Sequence, residues 1–186
     1  WIAYRSFDRD WLKLARKTYS FADLLDQKWP GLEVELLTPP ENLKLLVGWT
    51  GSPASTSHLV DRVALNKAKQ HADYQAFLAN SQACLKRMIN GFRNQDLTAI
   101  QRELTTNRQI LNELDSFTHV HIETPLLKTL CDLAEKHGGA AKTSGAGGGD
   151  CGIALIDKTK DIDALIDDWQ NHQITPLAFN VHTVEE

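Results

Sequence analysis

The densest grouping of chemically useful residues is Lys142-Thr143-Ser144-Gly145-Ala146-Gly147-Gly148-Gly149-Asp150. A cation and two hydroxyls lead into a stretch where four of five residues, Gly145 to Gly149, are glycine. Each glycine carries about 0.4–1 kcal/mol more unfolded-chain entropy than alanine. Such a run therefore belongs where the backbone needs positive φ or must touch something closely. Backbone N–H groups gathered in a tight turn form a concave cradle for an anion. On that reading the N–H groups of Gly145, Ala146, Gly147, Gly148 and Gly149 face phosphate, Ser144 donates a hydroxyl and Lys142 supplies charge. The plainer alternative is a tight glycine-rich connection without a ligand. Asp150 repels phosphate unless a cation intervenes, so it caps N–H groups of its own turn or faces Mg2+ or Lys142.

A second grouping, Thr50-Gly51-Ser52-Pro53-Ala54-Ser55-Thr56-Ser57, brings five hydroxyls to the predicted start of a helix. A helix N-terminus carries about half a positive charge and unsatisfied N–H groups. Thr50, Ser52, Ser55 and Thr56 are thus candidate contacts for an acceptor phosphate. Plain capping by Ser55 or Ser57 is the competing account. Trp49 and His58 are expected to be wall residues.

A third candidate arises from a break in a pattern. Leu97, Ile100, Leu104, Leu111 and Leu114 form a helical apolar stripe, but the position that should continue it holds Asn107 or Arg108. A buried unpaired guanidinium costs several kcal/mol. Arg108 must therefore pair, extend to solvent or enter a wet cleft and meet substrate phosphate.

The elements around these groups read as follows. Trp1–Arg5 and Leu32–Leu37 are strand-like, with short helical pieces over Asp8–Tyr19 and Phe21–Trp29 between them. Leu43–Trp49 is a buried strand, and a helix begins near Ser55 or Ser57. A long helix carries Tyr74, Phe77, Leu78, Leu85, Met88, Ile89 and Phe92, and a second carries the stripe interrupted at Arg108. Thr124 is a good N-cap ahead of Pro125, and that helix ends at Gly138-Gly139. After the glycines come a buried strand at Ile153–Ile156, a short helix near Asp161–Trp169 and a last strand over about Ile174–His182. The order helix, extended piece, glycines, strand is the reverse of a dinucleotide or Walker loop, which needs a strand before and a helix after. These elements predict an α+β fold, with helices packed on a small, mainly antiparallel sheet.

A net charge of −4 and a pI near 6.0 argue against nucleic acid or an anionic membrane as partner. No apolar run reaches the roughly 18–20 residues of a membrane span. Cys84, Cys131 and Cys151 lack metal-ligand spacing. Cys84 and Cys131 sit among apolar helix positions, as small core residues in a reducing, cytoplasmic compartment.

The stretch KTSGAGGGDCGIAL (142–155) resembles the C-terminal motif of the GHMP small-molecule kinases. VGWTGSPASTSHLV (47–60) resembles the bacterial phosphomevalonate kinase branch of that family. The resemblance spans essentially the whole chain and implies a ferredoxin-like C-terminal domain over 41–186, with 1–40 a remnant of the N-terminal domain. It implies transfer of a phosphoryl group from ATP, with Mg2+, to a small phosphorylated substrate, 5-phosphomevalonate, on the route to isoprenoids. The family's Pro-x-Gly-x-Gly-Leu-Gly-Ser-Ser loop does not occur in the 186 residues, and its catalytic aspartate falls upstream of Trp1. No residue here is therefore assigned as catalytic or as a metal ligand, and the chain alone is expected to be inactive. Another member of the family, such as mevalonate kinase or diphosphomevalonate decarboxylase, is one alternative. A non-catalytic anion-binding module is the other.

Overall fold

The computed structural model describes residues 1–51, 71–145, 147–178 and 180–181. They divide into two compact units, Trp1–Thr38 and Pro39–Glu186. In the first unit, strands β1 (Ile2–Arg5) and β2 (Glu33–Leu36) pair antiparallel, Ile2 opposite Leu36 and Arg5 opposite Glu33. Between them lie α1 (Arg9–Thr18) and α2 (Phe21–Leu25). Asp8 starts α1 by accepting the N–H groups of Asp10 and Trp11, and Ser20 starts α2 by accepting from Asp23. Each cap satisfies donors that the first helical turn leaves without partners.

The second unit is built on a four-stranded sheet. Its strands are β3 (Leu43–Trp49), β4 (Ala140–Thr143), β5 (Cys151–Asp157) and β6 (Thr175–Pro176), in the spatial order β4-β5-β3-β6. Every neighbouring pair is antiparallel. Helices α3 (His71–Arg93), α4 (Leu97–Thr118) and α5 (Pro125–Lys136) fall between β3 and β4, and α6 (Ile162–Asn171) between β5 and β6. This order, with the strand following the first helical crossing placed beyond β5, is the ferredoxin-like split β-α-β arrangement. The α+β expectation thus stands.

The main core joins α5 and α6 to the sheet: Leu130, Cys131, Ala134, Ala141, Ala154, Ile156, Leu165, Trp169 and Ile174 are all buried. Gly48 and Gly152 oppose each other across β3 and β5, and the absence of side chains there lets Leu130 lie directly on the sheet. A Cβ on Gly152 would come within 2.6 Å of Leu130 Cδ2, and one on Gly48 within 2.7 Å of Leu130 Cδ1 and of Ile174 Cγ2. Leu130 is fully buried, so it has nowhere to retreat. Gly152→Ala is expected to destabilise the domain by about 1–3 kcal/mol, the usual range for an overpacked core. The measurement is urea unfolding of Gly152→Ala, Leu130→Ala and the double variant. A coupling near zero in that cycle would show that the two positions do not collide.

Two expectations need correction. The last strand is shorter than predicted: β6 pairs only Pro176 with Gly48 and Thr175 with Trp49, and one further bond joins Leu177 N–H to the Val47 carbonyl (2.8 Å). Proline has no N–H to donate to a ladder, which weakens the pairing at Pro176, and Phe179 and His182 of the expected strand lie outside the described residues. On α3, Leu78 and Leu85 are exposed (42% and 48%) while Cys84 is fully buried. The inward stripe runs through Tyr74, Phe77, Ser81, Cys84, Met88 and Gly91-Phe92, and those leucines fall one position past it. Burial raises the Cys84 thiol pKa to about 11 and that of Cys131 to about 12. No helix among the described residues is long and apolar enough to cross a membrane.

Two surface contacts of α5 predict an acid limb in stability. His137 Nε2 and Lys136 Nζ meet Asp168 Oδ2 of α6 at 2.8 and 3.1 Å, and these bonds hold the Asp168 carboxyl below its ordinary pKa, His137 contributing most. Burial pushes the Asp132 pKa up, but Lys128 and Arg108 outweigh it and leave that carboxyl lowered as well. A carboxyl lowered in the folded state adds stability that is complete above its unfolded pKa. That stability is lost as pH falls through the folded value. Tm is therefore expected to drop below about pH 4, the unfolded carboxylate range, and Asp168→Asn should make the drop shallower. An unchanged acid limb in Asp168→Asn would show that this contact does not contribute.

Candidate functional site

The glycine loop leaves β4 at Thr143 and enters β5 at Cys151, closed at its base by Ser144 N–H donating to the Cys151 carbonyl (2.8 Å). Gly145, Gly147, Gly148 and Gly149 have φ of 64°, 80°, 83° and 121°. Residues with a Cβ avoid that half of backbone space, so the sequence run is there for conformation.

Among the described residues, two neighbours hold the loop. On one side is Thr50, just past the end of β3 and buried. Its hydroxyl donates to the carbonyls of Gly149 and Asp150 (2.9 Å for Asp150), and its N–H donates to the same Asp150 carbonyl at 2.9 Å. On the other side is Ile122, in the connection between α4 and α5, whose carbonyl accepts Gly148 N–H at 2.8 Å. Gly147 lies flush against the same residue, since a Cβ there would sit 2.5 Å from the Ile122 oxygen. The loop's carbonyls at Gly149 and Asp150 are thus turned toward β3. The N–H groups of Gly145, Gly147 and Gly149 take no acceptor among the described residues. Gly147 and Gly149 are buried, whereas Gly145 is exposed. Amide groups shielded from water need an acceptor, and an anion is one ligand that such a cradle takes.

The residues singled out from sequence are placed unevenly. Thr50 and the glycine run are brought together, 99 and 100 residues apart in the chain. The Thr50 hydroxyl proton is spent on the loop's carbonyls, so Thr50 ties the loop instead of donating to a phosphate. Gly148 N–H is likewise spent on Ile122. Lys142 is half-buried on β4, its ammonium donating to the Thr143 carbonyl at 2.7 Å. Burial pushes its pKa down. Ser144 is half-buried at the loop's entrance. The Asp150 carboxylate is exposed and, among the described residues, takes only the Cys151 thiol (3.7 Å), so it does not cap its own turn as expected. Ser52, Ser55, Thr56 and Ala146, like the helix start near Ser55 or Ser57 and His58, lie outside the described residues.

Arg108 is a correction. It neither extends to solvent nor presents itself to a phosphate. Its side chain is 10% exposed and meets Glu123 through Nε and Nη2 (2.7 and 3.1 Å), Asp132 through Nη2 (2.7 Å) and Glu135 through Nη1 (2.8 Å). Burial works against the charge, but these hydrogen bonds outweigh it and raise the guanidinium pKa above its ordinary value. An incoming phosphate would face three carboxylates. The interruption in the α4 stripe is an internal ion cluster that ties α4 to α5 and to their connection.

The sequence reading missed Ile122 and Asp115. Ile122 acts through its carbonyl, which no residue type advertises. Asp115 accepts the N–H groups of His121 (Oδ1, 2.7 Å) and Ile122 (Oδ2, 3.1 Å). Its only sequence signal is an acidic residue shortly before the end of a helix. For a divalent cation the donor set is thin. Among the described residues no three His, Cys, Asp or Glu side chains are grouped to hold a metal.

Known proteins share this architecture. The chain is 41% identical over 180 residues to a phosphomevalonate kinase of Streptomyces sp. (strain CL190), covering 95% of this chain and 48% of the relative. The crystal structure of the Lin0012 protein from Listeria innocua superposes with a TM-score of 0.92 at 40% identity, over 100% of this chain and 52% of that one. Streptococcus pneumoniae phosphomevalonate kinase, solved in complex with phosphomevalonate and AMPPNP, gives 0.82 at 29% identity over 95% and 50%. The chain therefore spans about half the length of the relatives it matches. The domain family described as GHMP kinases C terminal matches residues 75–175, from α3 through the glycine loop to β6. A split β-α-β sheet carrying a positive-φ glycine loop between its β4 and β5 strands, matched over that length, places the chain in the GHMP kinase C-terminal family.

Proposed function

We propose that this chain is the C-terminal part of a phosphomevalonate kinase. Such an enzyme transfers the γ-phosphoryl group of ATP to the phosphate of 5-phosphomevalonate, giving 5-diphosphomevalonate. One observation supports the reading: among the described residues the amides of Gly145, Gly147 and Gly149 have no acceptor, while the loop's carbonyls are drawn toward Thr50. Phosphoryl transfer is mainly positioning and charge neutralisation, and fixed backbone donors in a water-poor pocket do both without reorganising. Thr50, the first residue of the hydroxyl-rich stretch, is itself bonded to the loop. Ser52, Ser55, Thr56 and Ser144 are proposed to contact the acceptor phosphate, and Gly145, Ala146, Gly147 and Gly149 to contact phosphoryl oxygens. Lys142, spent on a carbonyl, adds only its field.

Mg2+ is proposed to arrive with the nucleotide, because phosphates and water satisfy most of its shell. The described residues assemble no metal site, and no step is assigned to the ion. Unit Trp1–Thr38 is proposed as the end of a preceding domain, and the setting as cytoplasmic, in keeping with three free thiols. The test is ADP release by the full-length protein with phosphomevalonate, mevalonate and mevalonate diphosphate offered separately. Turnover is expected with phosphomevalonate. Turnover with either of the others would move the protein to another branch of the family. Binding of phosphomevalonate or ATP without any turnover would favour an anion-binding module.

A further inference from the structure

The connection from α4 to α5 is held in a backbone shape that its residue types do not favour. His119 and His121 both have positive φ, 54° and 56°. For residues with a Cβ each such conformation is uphill by about 1–2 kcal/mol and persists only where the surroundings over-determine it. Asp115 supplies that constraint. From the last turn of α4 its two carboxylate oxygens take the successive N–H groups of His121 and Ile122 at 2.7 and 3.1 Å, and its carbonyl takes His119 N–H at 2.7 Å. Val120 and Ile122 are then buried against Leu114. The product of this shape is the placement of one atom, the Ile122 oxygen, 2.8 Å from Gly148 N and directly under Gly147.

We propose that Asp115 is a positioning residue for phosphoryl transfer, setting the glycine loop through the Ile122 carbonyl. This rests on the loop being the phosphate cradle of the proposed function. Asp115 takes its hydrogen bonds from His119, His121 and Ile122 and not from the loop itself. It fixes the wall opposite Thr50, so that the loop is clamped between the end of β3 and the α4–α5 connection. Without the carboxylate, His119 and His121 relax toward ordinary φ. The Ile122 oxygen then leaves Gly148, and the amides of Gly147 and Gly149 lose their direction. Asparagine, with one acceptor oxygen, keeps one of the two bonds.

The experiment compares Asp115→Ala, Asp115→Asn and the exposed control Glu113→Gln in the full-length protein, by amide hydrogen exchange and steady-state kinetics with ATP and phosphomevalonate. Exchange over 145–151 is expected to quicken about tenfold in Asp115→Ala while the sheet away from the loop stays protected. A fall in kcat of about ten- to a hundred-fold is expected from the misplaced donors. KM should hold within about twofold, the pattern of an interaction made in the transition state. Asp115→Asn should fall between Asp115→Ala and wild type, and Glu113→Gln should match wild type. The proposal is overturned if folded Asp115→Ala, or Asp115→Asn should the alanine variant not fold, keeps wild-type exchange over 145–151. It is equally overturned if stability falls with kcat unchanged. A wild-type protein without turnover would instead refute the kinase reading, and the exchange result would then decide the clamp alone.

Discussion

Gly147→Ala is expected to leave a folded full-length protein whose phosphoryl transfer has fallen about a hundredfold, the usual penalty for reacting groups displaced by about 1 Å. The cause is local and double. The residue sits at φ +80°, and the added Cβ would lie 2.5 Å from the Ile122 oxygen and 2.7 Å from its Cγ2. Neither partner can yield cheaply: the oxygen is backbone and already holds Gly148 N–H, and Ile122 is buried and tied by Asp115. The loop must therefore lift away, breaking the Gly148–Ile122 bond and turning its remaining amides. Strain of this kind is worth about 1–3 kcal/mol, too little to unfold a domain but enough to move a cradle. Gly145→Ala is the control, because at φ +64° its Cβ would meet nothing within 4 Å. It should therefore lose far less activity. Equal kcat values for the two variants would mean that contact with Ile122 does not set the loop.

The second large effect falls on stability. Arg108→Ala is expected to lower it by about 3–5 kcal/mol, the range for removing one partner of a buried ion cluster, or on the order of 10 °C in Tm for a domain of this size. The loss comes less from the missing attraction than from what remains. Glu123, 8% exposed, Asp132 and Glu135 would face one another, with Lys128 paired to Asp132. Pairing a second substitution with the first separates these contributions. Arg108→Met with Glu123→Gln removes both the cation and the most buried anion and should recover part of the stability, since apolar replacements of buried pairs are often neutral. Thermal unfolding of the single and double variants reads the result directly. A single variant within about 1 kcal/mol of wild type, the ordinary worth of a surface pair, would show that the cluster is solvated and contributes little.

Much of the architecture was legible because it is written in local periodicity and capping. Leu43–Trp49, the long helices, Thr124 before Pro125 and Asp161 before α6 each carry a short-range signal that burial only confirms. Failures came where the deciding partner was distant. Leu177 alternates with Phe179 and Val181 as a strand should, yet among the described residues the ladder with β3 covers only Thr175 and Pro176, where proline has no N–H to offer it. Leu78 and Leu85 fit a helical stripe loosely, and only the side on which α4 packs shows that Cys84 holds the inward position.

The amino-acid sequence by itself determined that Gly145, Gly147, Gly148 and Gly149 adopt positive φ, that hydroxyls follow β3, and that a charged residue interrupts the α4 stripe. These follow from steric rules and helical spacing, which operate over a few residues. Only the tertiary structure decided where the hydrogen bonds go. The Thr50 hydroxyl turns to the carbonyls of Gly149 and Asp150, the Gly148 amide to Ile122, and Arg108 to Glu123, Asp132 and Glu135. The reason is physical. A donor's acceptor is set by which elements pack together, and several of these acceptors are backbone carbonyls, identical at every position of the chain.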